Sequence, residues 1–460
     1  MLSLKELEKF AKENLDNALE DLFKLTRIPT VTVKGGKYSS DAIEELNKIF
    51  RQLDFETDVS KTKGEPVFTS ASKTDKPKTI LFYDHYDVQP AEPFDLWTSP
   101  PFEPEIREGK IYGRGVADNK GNIIARVYAV KMIQELQGEL PVNVKFIIEG
   151  EEEVSSPNLK EYVDTHHEFL FSNQTSCIWE FGGSNAQGMQ EIWAGVKGIC
   201  YVQLKTMGPK RDLHSAYGAV VENPANHLVA ALASLRNDQT DEILIENYYD
   251  PIADPSKEQL EAISAINDTM DEDKEKEQLG IEKFIGDLHG EEFLQKYYFS
   301  PTCTICGIWS GWQGEGGKTV LPAEAYAKLD FRLVPNQTPE NVIQMLRDHF
   351  KKNNFNVEIE WYEGYRPAFT PLSVPFVSIV KEAMLEVYGY TPIIHPWSPG
   401  SGPLYLFSDH IPVLSIGVGH AGSRAHAPNE NIKVEDFKQG QVCLARLIQK
   451  MAGEAGSTHN

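Results

Sequence analysis

The chain has 460 residues, 41% of them hydrophobic, enough for more than one core, since single cores rarely grow past about 250 to 300 residues. A formal charge of -23 excludes a basic surface able to offset phosphate repulsion, so no nucleic-acid partner is expected. Five cysteines, an odd number, do not make a disulfide scaffold, and no apolar run approaches the roughly 18 residues of a membrane span.

Leu4, Leu7, Phe10, Leu15, Ala18, Leu19, Leu22 and Phe23 recur at helical spacing, predicting a helix from residue 3 to about 24 that Ile28-Pro29 stops. The same stretch carries charges throughout and lacks the apolar core and cleavage site of an export signal, so cytoplasm is the expected location. A second helix is predicted from Ser39 to about Leu53. An apolar strand over 78–83 then runs into Asp84-His85-Tyr86-Asp87.

After a Pro-rich loop and a turn at Glu108-Gly109-Lys110 comes GRGVADNKG, residues 113–121. Ile123 to Gln137 reads as a helix and Val142 to Ile148 as a strand with β-branched bias. That strand leads into EGEEEVSS, residues 149–156, with four carboxylates in five positions. Helices alternating with apolar strands predict an α/β catalytic domain with a mostly parallel central sheet flanked by helices.

Near residue 198 the pattern changes. An alternating strand over 199–205, a helix over 225–235, an acidic segment over 238–287, a strand over 325–333 and a helix over 338–351 predict a smaller α+β domain. It spans 198–370 and is inserted into a first domain of 1–197 and 371–460, which resumes with a helix over 373–388, an apolar strand over 413–417 and a final helix over 434–451. Cys303 and Cys306 form a C-x-x-C that reads as two small, semi-buried residues near a strand.

Metal-competent side chains fall where strands or their following loops end: His85 and Asp87, Asp118, Glu152 and Glu153, Glu180, and His426. In open α/β sheets those ends are where ligands bind. Taken singly, His85 could be a hydrogen-bonded loop histidine, Asp118 a helix cap, Glu151 to Glu153 a solvated helix start and His426 a surface imidazole. Taken together, several carboxylates repel one another unless divalent cations offset them. Two imidazoles, one shared carboxylate and two separate ones nearly fill the coordination spheres of two ions while leaving room for water.

The H-x-D of His85-Tyr86-Asp87, the GRG-x-x-D-x-K-G around Asp118 and the E-E of Glu152-Glu153, in this order and with these gaps, resemble the dinuclear-metal peptidases and amidohydrolases. That group includes carnosinase-like dipeptidases, bacterial glutamate carboxypeptidases, aminoacylases and succinyl-diaminopimelate desuccinylase. The resemblance covers nearly the whole chain and leans toward the carnosinase-like dipeptidases.

The resemblance implies two divalent ions per subunit, zinc first, with manganese or cobalt as alternatives. His85 and Glu180 would bind one ion, Glu153 and His426 the other, and Asp118 would bridge them. Glu180 stands where the dipeptidase subset usually has aspartate. Asp87 would orient His85, and Glu152 would act as general base, returning its proton to the leaving amine. Glu151 is expected to face solvent without a chemical role, and Ser155 replaces a glycine of the family pattern.

In the inserted domain, Asp212-Leu213-His214-Ser215 resembles the lid motif whose histidine stabilises the oxygen that becomes charged. Arg332 resembles the arginine that grips a substrate carboxylate, and Thr319 is an additional donor. The long polar insert implies a homodimer through this lid domain, with His214 reaching the neighbouring subunit's site. The loop Ser398 to Pro403 departs from the usual sequence there. The implied activity is hydrolysis of dipeptides or short peptides with a free C-terminal carboxylate. The alternatives are an N-acyl-amino-acid amidohydrolase with the same metals and base, and a catalytically silent metal-binding scaffold, against which the presence of Glu152 argues.

Overall fold

Asn14 divides the amino-terminal amphipathic stretch into α1 (Leu4–Glu13) and α2 (Leu15–Thr26), where periodicity predicts one helix. The Asn14 side chain donates to the Phe10 carbonyl at 3.1 Å, a local bond that competes with the helical ladder. Ser3 opens α1 through a capping box with Glu6. These details come from a computed structural model, which describes residues 1–453.

The chain continues through α3 (Ser39–Arg51), β1 (Glu56–Ser60), β2 (Val67–Ala71), β3 (Lys78–His85), α4 (Lys120–Gln137), β4 (Asn143–Glu149), β5 (Gln174–Trp179) and β6 (Glu191–Trp193). Next come β7 (Gly198–Met207), α5 (Pro224–Ala233), β8 (Thr304–Ser310), β9 (Glu324–Leu333), α6 (Pro339–Lys352) and β10 (Glu358–Tyr365). It ends with α7 (Pro375–Tyr388), β11 (Ile393–His395), β12 (Val413–Ser415) and α8 (Val434–Gly453).

Two compact units result. The first comprises Met1–Gly195, Thr370–His395 and Leu406–Asn460, of which residues through 453 are described. Its eight-stranded sheet has the order β1-β2-β4-β3-β5-β12-β6-β11. β4, β3, β5 and β12 run parallel at its centre, and β1 and β2 add an antiparallel edge. The central strands are buried almost throughout, as strands covered on both faces must be. α4 is buried nearly all round, packed against α2 and α8, so its sequence shows little amphipathic stripe.

The second unit is Val196–Phe369 with Pro396–Tyr405. Its four-stranded antiparallel sheet has the order β8-β9-β7-β10, and β9 alternates strictly between buried and half-buried positions. α5 and α6 cover the buried face, where Val202, Leu204, Leu329, Phe331 and Leu346 form the core. Residues 396–405 join this unit through bonds from Trp397 Nε1 to the Tyr298 carbonyl at 2.7 Å and from Lys197 N to the Ser398 carbonyl at 2.9 Å. Cys303 is buried and Cys306 exposed.

Candidate metal centre

β3, β4 and β5 lie side by side and parallel, so His85 at the end of β3, the Glu149–Glu153 run that begins on the last residue of β4 and Glu180 just past β5 leave one edge of the sheet together. α4 holds these ends in place. Arg126 donates to the Tyr83 carbonyl at 2.7 Å and the Trp179 carbonyl at 2.6 Å, and Asn122 Nδ2 donates to the Glu180 carbonyl at 2.7 Å. Neither residue stands out in the sequence, because a polar side chain on a buried helix is recognised only when its distant partners are known.

Asp118 lies at the centre of the cluster. One carboxylate oxygen is 3.0 Å from His85 Nε2, and the other is 3.0 Å from His426 Nε2. His426 Nε2 is also 3.1 Å from Glu153 Oε2, and His85 Nε2 is 3.8 Å from Glu180 Oε2. Ligand atoms of His85, Asp118 and Glu153 all lie within 4.8 Å of one another. Behind His85, Asp87 takes Nδ1 on its backbone oxygen at 3.1 Å, with its carboxylate 3.3 Å away. The same carboxylate accepts the backbone N–H of Glu152 at 3.3 Å and of Glu153 at 3.1 Å.

Three of the four crowded carboxylates take separate partners. Glu149 is buried and accepts from Tyr83 Oη and, at 2.8 Å, from Ser156 Oγ. Glu151 does not face solvent as expected from the sequence. It is only 8% exposed, and Asn158 Nδ2 donates to it at 2.7 Å, so a satisfied buried hydrogen bond replaces hydration. Glu153 is held by Gln89, through N–H at 3.2 Å and Nε2 at 2.8 Å. Glu152 heads a short turn that closes at Ser155, whose φ of 73° is left-handed. A glycine would adopt that conformation without the Cβ penalty.

Burial and charge set the proton affinities. Burial raises Glu152 to about 8, with Asp118 and Glu153 adding to the rise and His85 opposing it. Burial likewise holds Glu180 well above the usual carboxylate range, reinforced by Glu152. His426 is raised to about 10 by its bonds to Asp118 and Glu153. Burial works to lower His85, but Asp118 and Asp87 outweigh it and hold it well above the imidazole range. Asp118 goes the other way: burial would raise it, but the two imidazoles hold it low.

Glu180 Oε2 is buried and has no hydrogen-bond partner among the described residues. An orphaned carboxylate oxygen beside an imidazole, with Asp118 shared between two N/O donor sets, fits a pair of divalent ions. His85, Asp118 and Glu180 make one set, and Asp118, Glu153 and His426 the other.

The other three residues singled out from the sequence belong to the second unit. His214 is exposed, paired across a short ladder with Val320, and Ser215 N donates to the Thr319 carbonyl at 3.1 Å. His214 and exposed Thr319 are thus neighbours there. Arg332 Nη1 donates to Ser401 Oγ at 2.9 Å and Nη2 lies 3.0 Å from Asp330, so the divergent Ser398–Pro403 loop presents its serine to the arginine.

The sequence pattern of Peptidase family M20/M25/M40 matches residues 81–450. The Beta-Ala-His dipeptidase of Rattus norvegicus is 30% identical over 386 residues, covering 82% of this chain and 78% of the rat protein. The Cys-Gly metallodipeptidase dug1 of Schizosaccharomyces pombe is 29% identical over 388 residues, covering 82% of this chain and 80% of its own length. The crystal structure of the M20 family metallo-carboxypeptidase Sso-CP2 from Sulfolobus solfataricus superposes with a TM-score of 0.88 at 34% identity, covering 95% of this chain and 99% of that one.

Proposed function

The chain belongs to peptidase family M20/M25/M40, and on that premise we propose that this metal-dependent peptidase cleaves dipeptides or short peptides with a free C-terminal carboxylate, using two divalent ions. The observation that carries the reading is Asp118, with one oxygen facing His85 and the other facing His426, each at 3.0 Å. His85, Asp118 and Glu180 would hold one ion, and Asp118, Glu153 and His426 the other. Zinc suits this donor set best, and manganese or cobalt also fit.

When bound, the ions supply polarisation of the scissile carbonyl and ionisation of a water at neutral pH. Glu152 takes the proton of the attacking water on its carboxylate and passes it to the leaving nitrogen. Its ionised form, the one that takes the proton, would be favoured by two dications beside it against the rise that burial causes. Asp87 engages His85 Nδ1, which directs Nε2 toward Asp118 and fixes the tautomer.

In the second unit, Arg332 takes the substrate's terminal carboxylate, with Thr319 as a further donor, because a guanidinium fork matches a carboxylate bidentately. His214 donates to the oxygen that becomes charged. The unit also forms the homodimer contact, and the enzyme works in the cytoplasm. Among the described residues no helix is long and apolar enough to cross a membrane.

The relatives' names, two dipeptidases and a metallo-carboxypeptidase, favour peptides over N-acyl amino acids. The test is a parallel panel of unblocked dipeptides and tripeptides, the same dipeptides amidated at the C-terminus, and N-acetylated amino acids. Unblocked peptides should be cleaved fastest, and amidation should lower kcat/KM by about tenfold or more, since a charge-assisted hydrogen bond is lost. Preferential hydrolysis of N-acetyl amino acids would make the enzyme an amidohydrolase instead.

A further inference from the structure

Glu430 lies four residues past His426 and is fully buried. It reaches back across the sequence to the loop that carries Asp118. One carboxylate oxygen accepts Arg114 Nη1 at 2.8 Å and the Gly115 amide at 2.9 Å, and the other accepts the Ala117 amide at 2.8 Å and the Asp118 amide at 3.0 Å. The Glu430 carbonyl also accepts the Gly113 amide at 3.1 Å. All the acceptor capacity an ionised carboxylate offers is thus spent on one turn of backbone and the arginine beside it.

The neighbouring residue fastens the other side. Asn431 N donates to the Ser423 carbonyl at 2.8 Å, and Asn431 Nδ2 donates to the Gly422 and Asn429 carbonyls at 3.0 Å each, closing the loop that carries His426. Two adjacent residues therefore tie together the backbones of Asp118 and His426. Arg114 extends the tie, donating from Nη2 to the Pro90 carbonyl at 3.2 Å, next to Gln89, which holds Glu153.

We propose that Glu430 is a positioning residue: its four-donor contact sets where the Asp118 carboxylate sits between His85 and His426, and thereby the affinity of the protein for both divalent ions. The inference rests on the dinuclear reading above. Because Asp118 faces an imidazole with each oxygen, a shift of its backbone disturbs both donor sets at once. A residue that merely stabilised the fold would leave the affinity of the folded protein unchanged.

Glu430→Gln is the decisive variant. A glutamine offers one acceptor oxygen, so its NH2 must face two of the four N–H donors. The metal-free protein is titrated with Zn²⁺ in a metal buffer, and with Co²⁺ while its visible absorption is recorded, after near-UV circular dichroism has confirmed the fold. Affinity for Zn²⁺ should fall by about 10- to 100-fold, as for other partners that orient metal ligands, and the Co²⁺ spectrum should change. Wild-type affinity and an unchanged spectrum would overturn the proposal. If Glu430→Gln does not fold, Glu430→Asp, which keeps the charge opposite Arg114 on a shorter arm, is measured in the same way with the same two outcomes. Failure of both to fold would make Glu430 a general element of the fold and overturn the proposal. Failure of the wild-type protein to bind Zn²⁺ would instead remove the dinuclear reading, and this inference with it.

Discussion

Arg126 and Asp84 form an ion pair of 2.7 Å with both side chains almost completely buried, one residue before His85. Removing one partner of a buried pair leaves an uncompensated charge, so Arg126→Met should destabilise the protein by roughly 3 to 5 kcal/mol. Adding Asp84→Asn should recover part of that loss. Urea denaturation of the two variants beside the wild type decides it, and equal stability of the single and double variants would mean the pair is not coupled.

Glu152→Gln should leave metal content intact while kcat falls by about 10² to 10⁴-fold, the usual range for general acid–base transfer. Elemental analysis should find two equivalents of divalent metal in both the variant and the wild type. Chelation should abolish wild-type hydrolysis, and Zn²⁺ or Mn²⁺ should restore it. A variant that turns over normally would hand the proton transfer to another group.

If the second unit forms a homodimer that lends His214 to the neighbouring site, inactive His214→Ala chains mixed with inactive Glu152→Ala chains should regain activity. Some mixed dimers would then carry one intact composite site. No rescue after demonstrated subunit exchange would place His214 in its own chain's site or outside the reaction.

Lys197 gives a pH signature in the second unit. Its amine is buried, donates to the Tyr297 and Ser300 carbonyls at 2.7 Å each, and is pushed down to about 8 by burial and by Arg332. Between pH 8 and the ordinary lysine value the unfolded chain binds the extra proton, so stability should rise with pH across that window and the penalty should be complete below it. The shift corresponds to roughly 3 kcal/mol. Lys197→Met should flatten the rise measured by denaturation at pH 8, 9 and 10, and a slope like that of the wild type would exclude Lys197 as its source.

His85, Asp118, Glu152 and Glu153 were legible because each belongs to a local pattern: H-x-D, the glycine-bearing turn, or the paired glutamates. Glu180 and His426 stand in no such pattern, and only the family resemblance gave them a role. At Ser155 the sequence offered only the replacement of a family glycine, and the left-handed φ of 73° gives that position its physical meaning. Arg126, Asn122 and Glu430 were not legible. Each is a single polar residue whose partners lie far away in the chain, so neither periodicity nor spacing marks it. Glu151 was read as solvated because charge normally implies exposure, and the burial provided by Asn158 is a tertiary fact. The break at Asn14 escaped periodicity for a different reason: both helices keep their apolar faces toward the same core.

Among the described residues the first helix rests against the last: α1 packs on α8, and Arg446 donates to the Leu2 carbonyl at 3.0 Å. This contact has a temporal meaning. During synthesis, His85, Asp118, Glu153 and Glu180 emerge early, whereas His426, Glu430 and α8 emerge only after the entire second unit. The nascent chain therefore holds His85, Asp118 and Glu180 before it has Glu430 to fasten the Asp118 loop, so both donor sets and the full cover over Leu7 and Phe10 must wait until α8 has been made.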